Sequence, residues 1–287
     1  MSAQLLALFT ALFYATANVA VRLGLEYSTA STATLVALVS HLIFLWSAVF
    51  LTGGIPDVSF AAILAITVAG ALQPVIRLGH YIGIDKVGAS RAVTLRNSYP
   101  ILSVIVGITF LHEEAKIANL AGTLFVVLGI VLSTWRLEKQ LKSYRWWHLL
   151  YPLGTALLTG IVHPIRRYAM ILSDEPLYFA ALVGLISLVC FAGYLLLPIS
   201  RERLVWHPKA VMPFLIAGIF ETLGILLLFT AFNAGPVVTV SPIAATAPIW
   251  TVLLATVFLR DLERITAHTV IGTLCVVAGV IAISLTG

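Results

Sequence analysis

Charged residues are scarce in this chain: Asp, Glu, Lys and Arg together make up 10% of its 287 residues, where about a quarter is usual for a soluble domain. No segment is polar enough to fold as a separate domain in water. Cysteine is nearly absent. Cys190 and Cys275 both fall inside apolar runs, which excludes a disulfide framework and a thiolate metal site and leaves two small buried hydrophobes. His112-Glu113-Glu114 begins like a zinc-protease motif, but no second histidine follows four residues after the first, so that chemistry is excluded. These acids are instead suited to the positive end of a helix. Glycines are plentiful, yet no Gly-x-x-x-x-Gly-Lys phosphate cradle occurs, so any transport must draw on a gradient rather than on ATP. Paired acids or a Ser/His dyad at one depth are missing too. No catalytic residue, metal ligand or cofactor is assigned, and an intramembrane enzyme stays a reading without residues to carry it.

Apolar residues are present in excess. They form 60% of the chain, and the mean hydropathy is +1.05. Runs long enough to cross about 30 Å of hydrocarbon cover roughly 4–23, 31–52, 59–83, 89–111, 117–135, 147–170, 176–198, 210–233, 236–259 and 266–285. The expectation is an all-α integral membrane protein of ten spans, with the lipid bilayer as its solvent. The first run lacks a basic start and continues at full length, so it is expected to stay as a helix rather than be cleaved. The net charge of +5 does not point to nucleic acid, because the basic residues lie in short loops at span ends. Twelve of them, from Arg22 to Arg264, follow odd-numbered spans; Lys116, Arg166 and Arg167 lie on the other side. This asymmetry places the odd-numbered loops in the cytoplasm and both termini outside.

The sequence is also written twice. Pro100 through Phe110-Leu111-His112-Glu113 to Gly122 and Gly129 recurs as Pro248 through Phe258-Leu259-Arg260-Asp261 to Gly272 and Gly279. The offset is 148 residues at the prolines and 150 at the glycines. Gln73 lies over Glu221 and Tyr81 over Phe229 at the same offset of 148, and Asn18 over His163 at 145. Two repeats, 1–142 and 143–287, thus hold five spans each. An odd number inverts the second copy, which puts a site between the halves near mid-depth. Ala69-Gly70, Ala217-Gly218, Gly122 and Gly129 mark close helix contacts.

Occurring in register, the two prolines, the Phe-Leu-x-acid endings and the glycine-bracketed fifth spans resemble the drug/metabolite transporter superfamily, in particular its ten-span EamA family, over essentially the whole chain. YddG-type exporters of aromatic amino acids are the subgroup it is most readily compared with. The resemblance implies a secondary carrier that exports amino acids or similar small metabolites from the bacterial inner membrane. It also implies a central cavity lined by the third, fourth, eighth and ninth spans. The sequence departs from the family in having Asp261 where Glu is usual, and in a charge bias opposite to the cytoplasmic termini that the family suggests.

An ionisable group inside a span is costly unless it is paired or faces water, which makes it a functional candidate. Gln73, Arg77, His80 and Tyr81 share one helix face by their i, i+4, i+7, i+8 spacing, with Pro74 among them. Arg96, Asn97 and Tyr99 immediately precede Pro100. Glu221 is the one acid deep in a span. It either ties helices together by pairing with Arg77 or Arg96, or meets substrate or proton. With an amino acid as substrate, Arg77 or Arg96 would hold the carboxylate and Glu221 the ammonium group. Tyr81, Tyr99, Phe229 and Trp250 would supply an aromatic wall, although the tyrosines and Trp250 also suit plain packing. Tyr14, Asn18, Arg22 and His163 would form a gate. An alternative is an organic-cation or drug exporter in which Glu221 exchanges cation for proton.

Overall fold

A computed structural model of the chain describes residues 1–87, 95–134, 145–197, 204–258 and 267–285. In order, the helices are α1 (Ala3–Leu25), α2 (Ala30–Thr52), α3 (Phe60–Val87), α4 (Tyr99–Phe110), α5 (Ile117–Thr134), α6 (Leu150–Leu172), α7 (Pro176–Leu196), α8 (Pro208–Ala234), α9 (Val237–Ala244), α10 (Ala247–Phe258) and α11 (Ala267–Ser284). A single 3-10 turn, Trp146–Leu149, leads into α6. No strand occurs among the described residues. Polar side chains start the first two helices. Ser2 accepts from the Leu5 amide and Thr29 from the Thr32 amide, satisfying donors that a helix start leaves open. Inside the spans, threonine hydroxyls such as those of Thr10, Thr67 and Thr222 donate to the carbonyl four residues back, so they need no outside partner.

Among the described residues, five helices, α1, α2, α3, α7 and α8, contain stretches long and apolar enough to cross a bilayer. The spans expected over 89–111 and 236–259 are not uniform helices. The second is broken at Ala245–Thr246 between α9 and α10, and a turn at Asn97–Ser98 precedes α4. Pro100 and Pro248 explain this. Each lacks the amide that would bond the carbonyl four residues back, and its ring crowds that carbonyl, so each sits instead in the first turn of a new helix. The start of the first of these spans lies in 88–94, outside the described residues.

The repeat is visible element by element. α4 and α10 correspond residue for residue at an offset of 148, and α5 and α11 at 150. Packing follows the same symmetry: α1 lies on α8 as α6 lies on α3, α3 on α7 as α8 on α2, and α1 on α10 as α6 on α4, while α2 meets α7 and α5 meets α11. The α5–α11 pair fixes the relative orientation of the halves. A methyl group on Gly122 would lie 2.7 Å from the Gly279 carbonyl oxygen, and one on Gly129 would lie 2.6 Å from that of Gly272. The start of α5 therefore meets the end of α11, and these equivalent helices run antiparallel. Such an arrangement requires a two-fold axis across the helices, in the membrane plane.

Phe179, Phe191, Phe214, Phe229 and Phe232 are fully buried. Phe44, Phe50, Phe110, Leu128 and Leu196 are exposed, and they give the bundle the apolar outer surface that lipid requires. Contacts across the halves leave a cavity at the centre.

Candidate functional site

The central cavity has a volume of about 100 Å³, room for several water molecules at roughly 10–15 Å³ each. Its polar walls come from both repeats. α1 brings Tyr14 and Asn18, α2 brings His41, and α3 brings Gln73, Arg77, His80 and Tyr81. Arg96 comes from the helical residues just before the turn that precedes α4, Asn97 from that turn, and Tyr99 is the first residue of α4. Across from them stand Thr159, His163 and Arg166 of α6 and Glu221 of α8, with Ala244, Ala247 and Pro248 at the α9–α10 break. The break and the turn, both set by proline, bring helix ends rather than continuous helix to the site. Irregular backbone at membrane depth is tolerated in this way because it borders a cavity.

Three sets of bonds organise the walls. Arg77 grips Glu221 with two parallel contacts, Nη1 to Oε2 and Nη2 to Oε1, each 2.7 Å. This is the bidentate geometry in which guanidinium and carboxylate bind most strongly. Arg166 Nη2 donates to Gln73 Oε1 at 2.7 Å, and its guanidinium lies 5.4 Å above the centre of the Phe229 ring. His163 Nδ1 and Ser241 Oγ share a hydrogen bond of 2.8 Å, the Tyr99 hydroxyl donates to the Ser241 carbonyl at 3.4 Å, and the Tyr99 and His163 rings meet edge to face at 4.8 Å. Several polar atoms are left over. Arg96 Nε, His41 Nε2 and His80 Nδ1 are buried without a hydrogen-bond partner among the described residues. Buried polar atoms are rarely left so unless something else is to meet them.

Of the residues singled out in the sequence, Gln73, Arg77, His80, Tyr81, Arg96, Asn97, Tyr99, Glu221, Tyr14, Asn18 and His163 all border this cavity. Arg22 and Trp250 do not. Arg22 is exposed near the end of α1, four residues and one helical turn beyond Asn18, and Trp250 is half-buried on α10, two residues past the wall residue Pro248. The expected aromatic wall is incomplete for a second reason: Phe229 is fully buried beneath Arg166. The cavity also draws on α1, α2 and α6, beyond the spans that the family resemblance implies. Sequence reasoning overlooked His41, although a histidine at the midpoint of an apolar span is itself a signal. It also passed over Ser241, which carried no signal, since serine is common in membrane helices.

A second polar cluster lies farther along α6, toward its junction with α7. Glu113, in the loop between α4 and α5, accepts from the Val237 amide at 2.9 Å and the Val238 amide at 3.1 Å. An acid of the first repeat thereby caps α9 of the second, where the helix dipole favours it. Arg167 Nε approaches the same carboxylate at 3.8 Å. Arg167 Nη1 donates to the Phe232 and Asn233 carbonyls at the end of α8, and the Asn233 amide donates to Asp174 Oδ1 at 2.6 Å.

A model of the EamA-like transporter family matches residues 1–135 and, a second time, residues 146–285. A solved structure titled "Crystal structure of protein" superposes with a TM-score of 0.82, over 99% of this chain and 96% of its own, at 14% sequence identity. A likeness at that identity is one of fold. No curated protein matches.

Proposed function

The chain belongs to the EamA-like transporter family, a multi-pass membrane carrier of small molecules, and from that premise we propose that it exports carboxylate-bearing metabolites, amino acids among them, across the bacterial inner membrane. Arg96 is the observation that carries this reading. It borders the cavity with a buried Nε lacking any partner among the described residues, and a guanidinium in that position suits the planar, two-oxygen geometry of a carboxylate. Arg77 is less available, because both of its terminal nitrogens already hold Glu221. The same pair disfavours an organic-cation exporter, since the acid that would receive the cation is already neutralised. The inverted halves support alternating access, in which they would rock about a site that both of them line. With no nucleotide cradle in the sequence, an ion or substrate gradient drives the cycle.

The test is uptake into proteoliposomes with a panel of labelled amino acids and their decarboxylated analogues, with and without a pH gradient. Arg96→Gln is expected to lower transport of carboxylates by about tenfold or more, the loss of one charge-assisted bond, while leaving the decarboxylated analogues unchanged. An equal loss for both classes, in protein that elutes as a single folded species, would refute the assignment.

A further inference from the structure

We propose that the preferred substrate is a compact dianion, either a dicarboxylate or a phosphate monoester, which the site takes ahead of the zwitterionic amino acids that the broader carboxylate reading admits. This inference rests on the reading of the central cavity as the substrate site. It comes from the charge balance of the walls. Among the described residues, the formally charged groups bordering the cavity are Arg77, Arg96, Arg166 and Glu221. Arg77 and Glu221 cancel each other through their two 2.7 Å contacts. Among the described residues Arg166 has no acidic partner: it donates to the neutral amide of Gln73, its guanidinium rests on the Phe229 ring, and its buried Nε is unpartnered. Arg96 likewise keeps a buried Nε without a partner among the described residues, and the wall's one acid, Glu221, is already held by Arg77. Two buried cations thus face one small space whose remaining polar walls are phenols, amides, hydroxyls and imidazoles.

Isolated charge is strongly disfavoured away from water, so the ligand that fits best supplies two negative charges. A zwitterionic amino acid supplies none net. Its ammonium group would also find the Glu221 carboxylate occupied on both oxygens. A dianion, in contrast, places one anionic oxygen set on Arg96 and another on Arg166. The unpartnered nitrogens His41 Nε2 and His80 Nδ1, with the tyrosine hydroxyls, are within the same walls to serve further acceptors.

The test uses the purified full-length chain in detergent, with ligand-dependent thermal shifts measured at constant ionic strength. One arm compares succinate with its monoamide succinamate, its diamide succinamide, and aspartate, which adds an ammonium group. The other compares glycerol 3-phosphate with its methyl phosphodiester and with glycerol. In at least one arm the dianion is expected to bind about tenfold or more tightly than the monoanion, with no shift from the neutral compound, and the responding arm identifies the anionic group. Arg96→Gln and Arg166→Gln should each reduce the dianion to the monoanion's affinity, whereas Arg166→Lys, which keeps the charge, should retain the preference. Succinamate or aspartate within about threefold of succinate, with no preference in the phosphate arm, would overturn the proposal, as would silence in both arms. Binding of monocarboxylates or amino acids that still depends on Arg96 would leave the carboxylate-carrier reading standing while the dianion fails. Anion binding indifferent to Arg96→Gln would reject both.

Discussion

Arg77 and Glu221 show how far a single residue can be read from sequence. That Glu221 needed a partner followed from its depth in an apolar span, and the partner was one of two candidates. The choice between Arg77 and Arg96 depended on which helices meet, a relation spread over 144 residues of sequence separation. His41 was legible and overlooked, while Ser241 and the burial of Phe229 under Arg166 are tertiary facts with no local trace. The pair itself makes a stability prediction. Its side chains are 5% and 18% exposed, and removing one partner of a buried pair typically costs about 3–5 kcal/mol because the other is stranded. Arg77→Met should therefore lower the melting temperature sharply. Arg77→Met with Glu221→Leu should recover most of the loss, since apolar replacement of both charges is often near neutral. Melting of the purified single and double variants checks this; a double variant no more stable than Arg77→Met would show that the carboxylate is not what the arginine is needed for.

At the scale of elements, the apolar runs located the spans but hid the breaks. Pro100 and Pro248 are visible in the sequence, yet a membrane helix often tolerates a proline with only a kink, and the turn at Ala245–Thr246 is stated by nothing else in its apolar neighbourhood. The acid at the end of the Phe-Leu-x-Glu run was legible as a helix-end group; that the helix belongs to the other repeat was not. Glu113→Gln keeps the shape of this cap and loses its charge. The expected cost is about 1–2 kcal/mol, from the weakened bonds to the Val237 and Val238 amides and the lost attraction to Arg167. Glu114→Gln, at an exposed neighbouring position, should be silent in the same melts. The α5–α11 contact gives an independent prediction. Gly129→Ala puts a methyl 2.6 Å from a backbone oxygen, and forcing the helices apart should cost about 1–3 kcal/mol. Gly154→Ala, where nothing lies within 4 Å, should be tolerated. Equal melting temperatures for the two alanine variants would show that close approach of these helices does not limit stability.

The whole molecule is two copies of one sequence that interlock rather than two bodies placed side by side, because the first span of each half packs on the third span of the other. The duplication was legible because equivalent positions face equivalent lipid and equivalent helices, which keeps Pro, Gly and the acidic ends in register. The inversion followed from parity alone, and the antiparallel α5–α11 pair expresses it in space. What an inverted pair cannot fix is which face of the bundle looks inward, since the two halves present nearly the same architecture to both sides. Charge decides that. Twelve basic residues follow odd-numbered spans, and of the three counted on the other side Arg166 borders the cavity and Arg167 also lies within α6, so the loops after odd-numbered spans should be cytoplasmic and both termini external. With Cys190 and Cys275 replaced by Ala, a cysteine at the exposed position Lys116 should react with an impermeant thiol reagent added to intact cells, and one at the exposed position Arg145 should react only after lysis. A reporter fused after Gly287 should likewise be active outside. Labelling of Arg145→Cys in intact cells, with Lys116→Cys protected, would instead place the termini in the cytoplasm. The basic side would then face outward, against the usual bias, and the Glu113–Arg167 cluster would lie toward the cytoplasmic rather than the external face.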